Sequence, residues 1–324
     1  MSGRRGQLLL IGGLGIAMTL VVLAVVLNTV IFTQNLATRE AADSRSPIEF
    51  TNAVDGGVGG AIAEANHWNT SSYGDLDTEV SRAVSTWAGN ATRFGASKGL
   101  VTYVELRSTT HGSRLFQSEE RQWTNDTGET SWTMADAVSG TRRFHANLSQ
   151  ASLAQTDSTD LGASNAFRVN VTEGTDTWSL YVYEPTSGGS DSMNVTAITP
   201  AGTTTSCQVS ADYAPIDLTE ATLDGTDCGF TFAEGVSAPY EITVGNGANA
   251  VGRYSVVVDQ EQSAFSSSLN ASYNDTVSEN PRAVPAIYSV DLRVETKRAD
   301  VEYARNLTVA PEDPVVAERY NVSA

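Results

Sequence analysis

Few residues in this chain have the types and spacing that do chemistry. Gly95-Ala96-Ser97-Lys98-Gly99 matches the Gly-x-Ser-x-Gly elbow, which exposes a serine nucleophile at a sharp strand-to-helix turn. Here the order is reversed, with a helical pattern before the serine and a strand pattern after it. A helix C-cap loop explains the first glycine. The three histidines are His67, His111 and His145. No two have metal-ligand spacing, and His145 alternates onto the outer face of its strand, so they read as exposed structural residues. Leu223-Asp224-Gly225-Thr226-Asp227-Cys228 is an acidic turn, but it lacks the twelve-residue calcium-loop pattern. No glycine-rich phosphate loop follows a strand. The expectation is a protein with no catalytic residues, no metal and no cofactor.

Covalent chemistry is better represented. Cys207 and Cys228 are the only cysteines. In an oxidising compartment such a pair reads as a disulfide, and no CxxC or paired histidine accompanies it to suggest zinc. Free thiols are the alternative. Asn-x-Ser/Thr acceptors occur at Asn69, Asn90, Asn125, Asn147, Asn170, Asn194, Asn270, Asn274, Asn306 and Asn321. Chance gives roughly four in a chain of this composition. In Phe167-Arg168-Val169-Asn170-Val171 the apolar residues alternate inward and Asn170 faces out; Asn147 and Asn306 are placed similarly. The alternative is that a threonine-rich β protein makes such sequons freely.

Which compartment is meant follows from the start of the chain. Arg4-Arg5-Gly6-Gln7 precedes an uncharged apolar run, Leu8–Phe32. As a helix that run is roughly 37 Å long against a hydrocarbon core of about 30 Å. A removable secretory signal has an apolar core of only about 7–15 residues before a small-residue cleavage site. Asn28-Thr29-Val30-Ile31-Phe32 is a poor site of that kind, so the run reads as a retained anchor. Two arginines precede it, whereas Arg39 and Arg45 beyond it are offset by Glu40 and Asp43. The N-terminus is therefore expected in the cytoplasm and the rest of the chain outside.

Thirty-eight acidic residues against 20 basic ones give a net charge of −18, and only Lys98 and Lys297 are lysines. This acidic, lysine-poor balance suits a protein working in high salt, where screening shortens to about 3 Å at 1 M. An ordinary acidic secreted protein is the alternative. Nucleic acid is an unsuitable partner, because no basic stripe is present to neutralise phosphates.

The elements that would position these residues are helical first and extended later. Ser46-Pro47-Ile48-Glu49 reads as a helix start. Val54, Val58, Ile62, Ala65 and Trp68 follow at helical spacing. Gly56, Gly57, Gly59 and Gly60 either permit close packing on a neighbouring helix or break the segment into a loop. Leu76, Val80, Val84, Trp87, Ala91 and Phe94 form one apolar stripe, ending at Gly95. From Leu100 the period is two. Tyr288–Glu295 alternates as a half-buried strand, with Val301–Val309 as its partner. Phe167–Thr172 and Trp178–Tyr183 predict a hairpin, and so do Tyr240–Val244 and Tyr254–Val258 around Gly245-Asn246-Gly247. Short strands between such turns favour an antiparallel sandwich.

Arg5-Gly6-Gln7-Leu8 followed by a long apolar helix resembles the class III signal of archaeal type IV pilins and related proteins. The resemblance implies that a membrane peptidase cuts between Gly6 and Gln7, and that the apolar helix stays on the mature protein. It also implies that such helices can pack into a filament core. The fifth mature residue, a glutamate in many pilins, is Ile11 here, and the chain is large for a major pilin, so a minor or tip subunit is implied. Arg4–Arg39, Ser139-Gly140-Thr141-Arg142-Arg143-Phe144 and Phe232-Ala233-Glu234-Gly235-Val236 also resemble stretches of uncharacterised single-anchor secreted proteins of salt-loving archaea.

Together these readings predict an α+β protein. Residues 1–7 form a cytoplasmic leader, 8–32 a transmembrane helix, 33–98 a helical stalk or layer, and 99–324 a mainly antiparallel, β-sandwich-like extracytoplasmic domain. The expected function is structural: a single-pass, glycosylated, pilin-like component of the cell surface. Its partners would be the lipid bilayer, other pilin-like subunits and a prepilin peptidase. A monomeric membrane-anchored binding or adhesion module is the alternative.

Overall fold

A helical hairpin opens the described part of the chain. The computed structural model describes residues 47–67, 72–97, 99–187, 192–229, 232–233, 235–267, 273, 281–298 and 302–311. Helix α1 covers residues 47–67 and α2 covers Tyr73–Ser97. The leader with Gly6 and Gln7, the apolar run 8–32, and Asn69, Asn270, Asn274 and Asn321 lie outside the described residues. Among the described residues no helix is long and apolar enough to cross a membrane.

The four glycines do not break α1, which is continuous through all of them. Gly57 shows why one of them is required: a Cβ there would overlap the indole of Trp87 on α2. Helix α1 buries Val54, Val58, Ile62 and Ala65, and α2 buries Leu76, Val80 and Val84. These stripes recur at helical spacing and face one layer of sheet. Helix α2 ends two residues later than Gly95. Leu100 N–H bonds to Gly95 O at 2.9 Å, and Gly99 N–H bonds to Ala96 O at 3.1 Å. That is a Schellman closure with Gly99 in the left-handed region at φ 70°. The second glycine is thus the cap. The first is needed because a Cβ on it would press on Leu100 O.

The strands are β1 Val101–Gln122, β2 Trp132–Val138, β3 Thr141–Ser149, β4 Gln155–Thr156, β5 Phe167–Glu173, β6 Asp176–Pro185, β7 Ser192–Ile198 and β8 Thr204–Ser210. They continue as β9 Tyr213–Asp217, β10 Thr222–Leu223, β11 Thr226–Asp227, β12 Tyr240–Gly245 and β13 Val251–Val258. A short helix, α3 Gln262–Ser267, precedes β14 Arg282–Lys297 and β15 Glu302–Val309. One sheet has the order β11-β10-β9-β3-β13-β1-β14-β15, and the other β2-β12-β5-β6-β7-β8. Pairing is antiparallel apart from the short β4–β6 contact. The two sheets share a core that includes Phe144, Leu148, Tyr254 and Val256 from the first and Phe167, Val169, Leu180, Met193 and Val244 from the second. The architecture is therefore a sandwich-like pair of antiparallel sheets with a small helical layer.

The hairpin expected around Gly245-Asn246-Gly247 does not form. Strand β12 pairs with β2 and β5, whereas β13 pairs with β1 and β3. The turn is a crossover between sheets. Gly247 N–H bonds to Thr130 O at 2.7 Å, Trp123 N–H bonds to Gly247 O at 3.0 Å, and Asn246 donates to Ala166 O at 2.9 Å. Those contacts to other segments replace the ladder that a hairpin would make. The β5–β6 hairpin and the β14–β15 pair do form as read from the sequence.

The long strands β1 and β14 belong to two cores. Val104, Ile287, Val290, Leu292 and Val294 pack under the helices, while Leu115 enters the sandwich core. One side chain fixes the helical layer to the sheet. Asn66 on α1 donates to Ile287 O at 2.8 Å and accepts from Ile287 N–H at 2.7 Å. It does for β14 what a neighbouring strand would do, and it is 2% exposed. Asn66→Ala leaves a buried donor and a buried acceptor unpaired. It should lower stability by about 2–3 kcal/mol, read as a shift in the urea midpoint.

Candidate functional site

The second to fourth turns of α2 face the middle of β1 across an open groove of about 750 Å³. Ser72 caps the helix: its hydroxyl accepts from Asp75 N–H at 3.2 Å and donates to the Asp75 carboxylate at 2.7 Å. This sets the phase of α2. Tyr73, Asp77, Ser81 and Ser85 then recur every fourth residue, a polar row beside the apolar stripe. Asp77, Thr78, Ser81, Arg82 and Ser85 line the helix side of the groove. Arg107, Ser108, Thr109 and His111 line the strand side.

The strand side is irregular where these residues lie. The β1–β14 register shifts between Leu106 and Ser108, and again between Thr110 and His111. Strand β13 pairs with β1 only from Ser113 onward. Among the described residues, Val101–Gly112 therefore has a strand neighbour on one side only, and α2 lies against it.

His111 sits at the end of the groove. Its Nε2 is 3.1 Å from both carboxylate oxygens of Asp77, and its Nδ1 is 3.6 Å from Glu261 Oε1. Its ring stacks on Tyr73 with centroids 4.4 Å apart. The Tyr73 hydroxyl donates to Gly112 O at 3.0 Å and accepts from Gln262 N–H at 2.6 Å. Partial burial raises the Tyr73 phenol above its ordinary range, against the opposing effect of the Gln262 N–H. This cluster joins α2, the bulge in β1 and the segment leading into α3. A Ser-His-carboxylate relay needs a hydroxyl on one ring nitrogen, whereas carboxylates face both nitrogens of His111. The chemistry on offer in the groove is polar binding through hydroxyls and guanidinium groups. Sequence reasoning missed the cluster because Asp77 and His111 are 34 residues apart. The four-residue recurrence of polar residues on α2 was the available signal.

The other candidates fall elsewhere. Ser97 is the last residue of α2, and its hydroxyl bonds to Phe94 O at 2.7 Å. His67 is exposed at the end of α1. His145 Nδ1 is 3.5 Å from Asp217 on the adjacent β9. The acidic turn is a tight hairpin between β10 and β11, with Asp224 and Gly225 both at positive φ.

Cys207 and Cys228 form a disulfide with Cα atoms 5.5 Å apart. Cys207 is on β8, an edge strand of the second sheet, and Cys228 directly follows β11, an edge of the first. The bond thus clips the sheets together along one margin.

The sequons separate by exposure. Asn90 on α2 and Asn306 on β15 are exposed, while Asn147, Asn170 and Asn194 are half-buried on strand faces. Asn170 lies 3.4 Å from the Thr243 hydroxyl, and Asn194 lies 3.4 Å from the Tyr183 hydroxyl. Asn125 is 1% exposed, donates to Glu129 Oε2 at 2.7 Å and accepts from Glu129 N–H at 2.7 Å. A glycan on Asn125 is incompatible with that closed loop. Peptide mapping of the protein from its native cells should find Asn125 unmodified, with Asn90 or Asn306 the most fully occupied of the described sites. A substantial glycan on Asn125 would contradict this.

No family model matches the chain, and no curated protein and no solved structure matches it.

Proposed function

We propose that this chain is a membrane-anchored extracytoplasmic structural protein, a minor pilin-like component of an archaeal cell surface adapted to high salt. The observation that carries the reading is Arg5-Gly6-Gln7 directly before the uncharged run Leu8–Phe32. A disulfide-clipped antiparallel head is consistent with life outside the membrane. The anchor holds or assembles the subunit, and the head presents a glycosylated, acidic surface. Ile11 stands where a pilin glutamate would meet a neighbouring N-terminus, so self-assembly lacks its usual counter-charge. Gly12, Gly13, Gly15 and Ala17 still permit close helix contact. Asn28 and Thr29 could each add an interhelical hydrogen bond worth about 0.6 kcal/mol. The expected result is low-copy incorporation beside a major subunit. Sheared surface material from cells making only this protein should contain no abundant filaments, and material from cells making all their pilins should contain it. Abundant homopolymers would refute the minor-subunit role.

The α2–β1 groove favours a second reading, an anchored binding module. That reading becomes the better one if the protein is absent from purified filaments.

A further inference from the structure

The exposed apolar side chains are concentrated at one end of the molecule. The large hydrophobic residues left exposed among the described residues are Ile48, Phe94, Val101, Tyr103 and Tyr213. All but Tyr213 sit where α1 begins, α2 ends and β1 begins. The contacts fix this. At the far end of the helical layer, Asn66 meets Ile287 and Tyr73 meets Gly112. At the near end, Phe50 lies 5.8 Å from Trp87, Thr92 donates to Thr102 O, and Val101 pairs with Lys297. From Asn66 back to Ile48 is about 27 Å along a helix, and from Ile287 to Lys297 about 34 Å along a strand, so these termini lie side by side. Val101 and Tyr103 point away from the helices, because Thr102 and Val104 alternate with them and are buried. Phe94 lies about 10 Å beyond Trp87 along α2.

This is also the end at which the chain arrives from the apolar run. Fourteen residues, 33–46, separate Phe32 from Pro47, a reach of about 21 Å if helical and about 48 Å if fully extended, part of which the headgroup layer takes up. Lys297, which pairs with Val101 at this end, has a side chain 62% exposed whose ammonium lies 3.0 Å from Glu302. Long basic side chains flanking apolar ones are suited to a membrane–water interface, where the stem is buried and the charge stays wet.

We propose that this end is a lipid-contacting foot. Ile48, Phe94, Val101 and Tyr103 enter the headgroup region of the bilayer that holds residues 8–32, and the head rests on the membrane. The Tyr103 ring suits that boundary, with an apolar body and a hydroxyl at its tip. The inference rests on the anchored reading.

The test uses the full chain reconstituted in phosphatidylglycerol vesicles. Nitroxide labels are placed through Phe94→Cys, Tyr103→Cys and, as a control on β9, Tyr213→Cys. All three positions are exposed, so folding should survive, and the native cysteines are already bonded to each other. The ratio of collisions with oxygen to collisions with a water-soluble nickel chelate should be at least about threefold higher at positions 94 and 103 than at 213. Equal ratios in protein that floats with the vesicles overturn the foot and leave the anchor standing. Shielding of positions 94 and 103 from both agents also overturns it, since protein, either residues 33–46 or a second copy, would then cover the patch. Failure to float overturns the anchored reading itself.

Discussion

Replacing Cys207 and Cys228 together by serine should lower the free energy of unfolding by about 3 kcal/mol. The bridge closes a loop with a sequence separation of 21, and the chain-entropy account gives about that value for a loop of this size. The location adds a structural reason. Strand β8 is held on one side only, by β7, and β10 and β11 are two residues long. Neither margin is strong by itself; Leu223 is buried in the sandwich core, and Cys207, Val209 and Cys228 pack partly buried against that core. The urea midpoint should fall in the double variant, and reductant should shift the native protein in the same direction. An unchanged midpoint would show that the two margins hold without the bond.

A second large effect is expected in alkali. Tyr254 is 2% exposed, its ring lies 4.4 Å from Trp123, and its hydroxyl has no hydrogen-bond partner among the described residues. Tyr273 is 5% exposed and donates to Met134 O at 2.6 Å. Burial pushes both phenols well above their ordinary value of 10.0. The folded state therefore holds protons that the unfolded chain releases near pH 10. The stabilisation is complete below that pH and is lost as pH rises toward the folded values. The slope is about 1.4 kcal/mol per pH unit for each phenol, or roughly 2.7 for the two. Phenolate absorbance should rise in part through exposed tyrosines, then jump together with loss of circular dichroism. Tyr254→Phe should flatten the alkaline limb. At neutral pH it should cost little, because it removes a buried hydroxyl without a partner. Smooth titration of every tyrosine near pH 10 with the fold intact would contradict this.

An acid-side effect is smaller. The Asp291 carboxylate is held below its ordinary range by hydrogen bonds from Thr308 and then Ser108. That contribution is present above the unfolded carboxylate value and fades as pH falls through the folded one. At this exposed site, solvent screening keeps it to a few tenths of a kcal/mol.

Local periodicity made much of the architecture legible. The stripe Leu76-Val80-Val84 announced α2, and the alternation in 288–295 announced the centre of β14. The turn between Glu173 and Asp176 announced its hairpin, and two cysteines were enough to suggest a clip. What stayed hidden was non-local. Gly245-Asn246-Gly247 carries the composition of a hairpin turn, but contacts to Trp123 and Thr130, more than a hundred residues away, convert it into a crossover. Gly57 in α1 is ambiguous from sequence because its meaning depends on Trp87. Asn66 looks like an ordinary helix residue until Ile287 is placed beside it. The His111 cluster joins Asp77, His111 and Glu261 from three segments far apart in sequence. Asn125 carries the same three-residue signal as Asn306, yet one is sealed in a loop and the other lies open on an edge strand.

The central claim is most directly tested at the start of the chain. Protein isolated from the membranes of cells with an active prepilin peptidase should be digested and its N-terminal peptide identified by mass spectrometry. The account predicts a mature terminus at Gln7, with residues 8–32 retained. A terminus at Met1 or Ser2 would contradict the pilin-like route and leave a plain anchor, and a terminus beyond Phe32 would contradict the anchor as well.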